Sequence, residues 1–148
     1  MNAPLYTTEI LRLAVDAANY PRLFTPHASD EARTPICGSR ITVDVEVDLA
    51  GRICAVGMDV HACAMGQASA ALFAGGVYGR TSDEIEGAAT ALGEWLSGES
   101  DMPPDWPGVA ALAPAIPHSA RHAAILLPFR AGAAAAKRAN MREGGQAA

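Results

Sequence analysis

Residues 40–60 read RITVDVEVDLAGRICAVGMDV. Ile41, Val43, Val45, Val47 and Leu49 alternate with Thr42, Asp44, Glu46 and Asp48. A period of two built from β-branched residues predicts a strand with one buried face and one solvated, acidic face. Ala50-Gly51 predicts a tight turn, and Cys54, Val56, Met58 and Val60 then share one face of a returning antiparallel strand. The hairpin should occupy about 40–49 and 52–60, with Cys54 packed in the core beside Val56 and Met58. A lone hairpin is marginally stable, so one further short strand and packed helices must cover it. An extended piece is expected near Leu23 and Phe24.

The segments on either side predict helices. Upstream, residues 7–18 place Ile10, Leu11, Leu13, Ala14 and Ala17 at helical spacing behind a Thr7 or Thr8 cap, and Pro21 closes the run. Downstream, residues 63–78 form a helix of very small side chains suited to close packing. In residues 82–97, Thr81 and Glu84 make a capping-box pair ahead of a stripe of Ile85, Ala88, Ala89, Leu92, Trp95 and Leu96. The proline-rich stretch SGESDMPPDWPG is a loop. A last helical region runs from about Ser119 to Asn140 with a bend at Pro128. A hairpin followed by helices predicts an α+β fold in one domain, 1–140, with a disordered tail at 141–148.

Composition narrows the function. The chain has 148 residues, a net charge of −5 and a pI near 5.2. An acidic chain is a poor ligand for nucleic acid, and no apolar run is long enough to span a membrane. The N-terminal MNAPLYTTEILRLAV lacks the basic start of a secretory signal, so a soluble cytoplasmic protein is expected. Three cysteines argue against a disulfide framework and leave thiols or metal ligands. There is no GxGxxG, P-loop or GxSxG motif, and no acid stands at a recognisable spacing to orient a cysteine–histidine pair. An enzyme is not expected.

Hairpin geometry supplies the strongest functional pointer. Cys37 lies in TPICGSR just before the first strand, and Cys63 lies just past the second at the start of a helix. The two strands pair, so Cys37 and Cys63 should be neighbours at one edge of the sheet. Unsatisfied N–H groups and the helix dipole favour a thiolate at a helix start. Singly, each cysteine is more often a small buried hydrophobe, but the pairing at one edge favours function. A zinc or iron site needs three or four ligands, so His61, His118, His122 or His27 would have to complete it.

These segments, in this order, resemble the U-type iron–sulfur cluster assembly scaffolds (IscU/SufU type, like the N-terminal domain of NifU), over roughly Leu5 to Ala139. The family's Asn-Pro-Arg is similar to NYPR at 19–22, its Cys-Gly-Asp loop to CGSR at 37–40, and its cysteine-led helix start to ACAMGQASAAL at 62–72. Its final Arg-x-x-Cys-Ala-x-Leu-Pro-Trp resembles RHAAILLPF at 121–129. The resemblance implies a SufE/NifU-like fold and a [2Fe–2S] cluster or an iron or zinc ion. It implies cysteine desulfurases and iron–sulfur acceptor proteins as partners. It places Cys37 and Cys63 at two ligand positions, with Ser39 at the aspartate, Ala124 at the third cysteine and Phe129 at the tryptophan. Three expectations follow: a cluster or metal held by Cys37, Cys63 and His122 or His118; sulfur acceptance on Cys63; or a degenerate scaffold that binds partners without metal.

Overall fold

The computed structural model describes residues 4–35 and 38–147, with side chains as far as Met141. Helix α1 (Thr8–Asp16) leads into a short 3-10 turn (Ala17–Asn19), and three strands follow: β1 (Ala28–Arg33), β2 (Arg40–Val47) and β3 (Ile53–His61). Helices α2 (Ala64–Gly76), α3 (Ser82–Ser97) and α4 (His122–Ala147) complete the fold, with 3-10 turns at Val109–Ala115 and Ser119–Arg121. Helix α4 includes Pro128 and is assigned through most of the stretch expected as a tail. The architecture is α+β. One antiparallel sheet of order β1-β2-β3 is backed by helices.

The inner sheet face is the one the alternation marks. Ile41, Val43, Val45 and Val47 are buried, and Ile53, Val56 and Met58 join them from β3. Helix α4 lies against this face through Ala131, Ala135, Ala136 and Ala139, whose small side chains allow close approach. Phe73 of α2, Phe129 of α4 and Trp106 form a second focus. Phe73 stacks on Trp106 with centroids 5.9 Å apart, and Phe129 meets both rings edge-on. The Trp106 indole N–H donates to the Leu72 carbonyl at 2.8 Å, so the buried ring leaves no polar atom unpaired. At α3 the Thr81–Glu84 capping box forms as the sequence predicts.

Four expectations need correction. The third strand is β1, at Ala28–Arg33, in the stretch where only an extended piece near Leu23 and Phe24 is expected, and that piece is not part of the sheet. Its sequence, ASDEAR, has no β-branched residue, and pairing with β2 alone makes it a strand. Cys54 is exposed, because a bulge opposite Glu46 and Val47 inserts it as an extra residue. Past that bulge Ile53 turns inward instead. The β2–β3 connection is wider than Ala50-Gly51. The Asp48 carboxylate accepts from the Ala50 and Arg52 amides and builds the turn, leaving Leu49 fully exposed.

The fourth correction concerns the outer face, which is not uniformly solvated. Asp44 has no exposed surface, because the segment Tyr20–Leu23 crosses the sheet above it. Arg22 grips its carboxylate with two bonds of 2.7 and 2.9 Å, the Leu23 amide donates at 3.0 Å and the Ser29 hydroxyl at 2.5 Å. Gly57 makes room for this strap. A Cβ there would run into the Pro21 carbonyl and lie 2.7 Å from the Leu23 nitrogen. The Met58 amide donates to the Tyr20 carbonyl at 2.8 Å, tying the strap to the edge of β3 as well.

Candidate functional site

One end of the sheet gathers the residues of interest. In register, Arg40 at the start of β2 faces Arg33 on β1 and His61 on β3. The β1–β2 loop, which carries Cys37 in its sequence, is closed at its base by Thr34 and Ser39. The Thr34 amide donates to the Ser39 carbonyl at 2.9 Å, and the Ser39 amide donates to the Thr34 hydroxyl at 3.1 Å. Both residues are buried. Cys37 itself lies outside the described residues, so its expected place beside Cys63 rests on the strands that flank it.

Cys63 follows β3 by two residues and is the N-cap of α2, in extended conformation with φ −64° and ψ 169°. Its carbonyl accepts the Gln67 amide at 2.9 Å, while its side chain makes no capping bond. The sulfur is therefore half-buried at the mouth of a helix and caps none of its amides. The Gln67 side chain holds the approach to the helix by donating to the Ala62 carbonyl at 3.1 Å.

Across from α2 stands the first turn of α4. Ala124 is buried at 2% exposure, and its methyl would lie 3.5 Å from a Cβ on Gly66, one turn into α2. Residue 124 thus adjoins the helix that Cys63 begins, but it brings only a methyl group. Ser39 is folded into the loop base.

The histidines are placed apart. His122 lies at the start of α4, with Nε2 at 2.9 Å from the Ala115 carbonyl and 3.1 Å from that of Ile116. To bond these carbonyls Nε2 must carry the proton, so only Nδ1 keeps a lone pair for a metal. His118 is exposed ahead of the 3-10 turn that precedes α4. His61 is exposed, 3.2 Å from Asp59, and the His27 Nδ1 accepts the Val47 amide at 3.0 Å. Among the described residues no three His, Cys, Asp or Glu side chains converge as a metal site would require. Cys54 is remote from this end. Desolvation of its sulfur first, then the Glu46 and Asp48 carboxylates, push its thiol above the ordinary value.

Sequence reasoning passed over two features of this end. One is the row Arg33–Arg40–His61, visible only once β1 is in register. The other is the use of His122 as a donor to the end of the Val109–Ala115 turn, which no spacing announces.

No protein-family model and no curated protein matches the chain. Solved structures do. The N-terminal part of a nitrogen-fixing NifU-like protein from Brucella abortus is 30% identical, with a TM-score of 0.81 over 93% of this chain and 95% of that one. A protein described as an iron–sulfur cluster assembly scaffold for the SUF system, from Fervidobacterium islandicum AW-1, shares the fold at 18% identity. Its TM-score is 0.76 over 89% of this chain and 96% of that one. With identity, coverage and topology in agreement, the chain belongs to the NifU-like family, and it shares its fold with the SUF-system protein.

Proposed function

We propose that this protein works by docking the partners of the scaffold family and does not build a cluster on its own ligands. The observation that carries this reading is Ala124, a buried methyl beside Gly66 at the position where the family places a thiolate. Clusters and zinc sites are held by three or four thiolate, imidazole or carboxylate donors. Here Ala124 offers none, Ser39 replaces a carboxylate, and among the described residues no three donors gather to make up the loss. The residues present do not fit the family's [2Fe–2S] cluster or an iron or zinc ion. The partners proposed by family likeness are a cysteine desulfurase and iron–sulfur acceptor proteins. Calorimetric titration of the desulfurase into the wild type and into the Cys37→Ser/Cys63→Ser variant tests this. Equal Kd values are expected, and loss of binding in the variant would overturn the reading.

A second activity is compatible with docking and is favoured by the unspent side chain of Cys63. Its thiolate would attack the terminal sulfur of a persulfide on the donor. A new S–S bond forms at Cys63, the donor's S–S bond breaks, and the donor cysteine departs as a thiolate. Mass spectrometry after incubation with desulfurase and cysteine should find the added sulfur on Cys63; an unmodified Cys63 would exclude the step.

A further inference from the structure

Two arginines and a histidine stand in a line across the site end of the sheet. Arg33, Arg40 and His61 are directly opposite one another on β1, β2 and β3. Opposite residues of antiparallel strands share a face about 5 Å apart, and the like charges of Arg33 and Arg40 so placed weaken a sheet. All three are exposed on the outer face and contribute nothing to the core. A basic composition does not explain the pairing, since the chain has 16 Asp and Glu against 11 Lys and Arg.

Neighbouring acids answer only the two flanks. Arg33 bonds Glu31, and His61 lies 3.2 Å from Asp59. The residue two places along from Arg40 is Thr42, and Arg40 forms no ion pair among the described residues. With Thr34, Gly38 and Ser39 the three line an open cleft of about 350 Å³. The cleft lies at the base of the loop that contains Cys37, and its His61 wall is two residues from Cys63.

We infer that this row receives an acidic, extended segment of a docking protein. The inference rests on the reading above that the chain acts through partners, and it names the chemistry of the contact. Neighbouring strands are about 4.8 Å apart, so the row spans about 10 Å. One small oxyanion would reach only part of it. Carboxylates on alternate residues of an extended chain are about 7 Å apart and engage Arg40 together with Arg33, with His61 as a further hydrogen-bonding side chain at the end of the row. The planar guanidinium of Arg40 is suited to grip a carboxylate through two parallel bonds.

An amide-detected NMR titration of the full chain with a hexaglutamate peptide tests this, with inorganic phosphate titrated in parallel. Saturable shifts are expected at Arg33, Ser39, Arg40 and His61. Affinity should fall about tenfold in Arg40→Glu and hold in Lys137→Glu, a charge change on α4 away from the row. Equal weakening in both variants, or shifts spread along α4, would overturn the inference. Phosphate binding as tightly as the peptide would assign the row to a free anion and overturn it too. The titration needs neither metal nor desulfurase. If the peptide fails to shift the row while the desulfurase binds wild type and Arg40→Glu alike, this inference falls and the docking function stands.

Discussion

At Asp44 a carboxylate without exposed surface accepts from Arg22, the Leu23 amide and the Ser29 hydroxyl. Burial alone would raise its pKa, but Arg22, then Ser29 and Leu23, outweigh burial and hold the carboxyl below its ordinary 3.8. A folded value below the unfolded one gives stability that is complete above the ordinary value. That stability is lost as pH falls through the folded value beneath it. Asp44→Asn should therefore lower stability by about 2–3 kcal/mol at neutral pH. In urea titrations the gap to wild type should close in acid; a gap unchanged by pH would contradict the assignment. In the sequence Asp44 is one more acid on the polar side of a strand. A period of two marks which residues share a face but not what covers that face. The Arg22 that resembles the family's Asn-Pro-Arg segment thus has a structural task here, which is to fasten the strap.

At the scale of elements, the strap and the sheet fit because residue 57 has no side chain. Gly57→Ala would push a methyl into the Pro21 carbonyl and the Leu23 amide, both backbone, so the strap must lift. A loss of about 1–3 kcal/mol is expected. Faster hydrogen exchange at the Leu23 amide should accompany it, and unchanged exchange there would show that the strap is held otherwise. The same element shows where sequence reading succeeds and where it stops. The alternation from Ile41 to Val47 is strong because each inward residue is apolar, so β2 and most of β3 were legible. The inversion at Cys54 was not, because a bulge is a property of the pairing with Glu46 and Val47. Strand β1 was also hidden, since ASDEAR has no strand signal of its own. Its exposed edge is quietened by the Asp30 carboxylate on the Glu31 amide and by Arg138 on the Ser29 carbonyl.

For the whole molecule, the helices bring residue 124 to the start of α2, and the strands bring the Cys37 loop toward the same end. On the reading proposed above this is the frame of a scaffold site with fewer donors. The meeting of these segments was legible, because strand pairing fixes positions along the chain. The engagement of His122 was not, because it depends on where the Val109–Ala115 turn ends. Among the described residues no helix is long and apolar enough to cross a membrane. The frame and its missing donors together define the central claim: a scaffold fold acting through protein contacts. The most direct test is anaerobic reconstitution with iron and sulfide, followed by visible absorption and metal analysis, on the wild type beside Ser39→Asp/Ala124→Cys. The account expects a colourless, metal-free wild type and a coloured double variant in which the donors are restored. A wild-type protein that emerges coloured, with iron and sulfide bound in stoichiometric amounts, would contradict it.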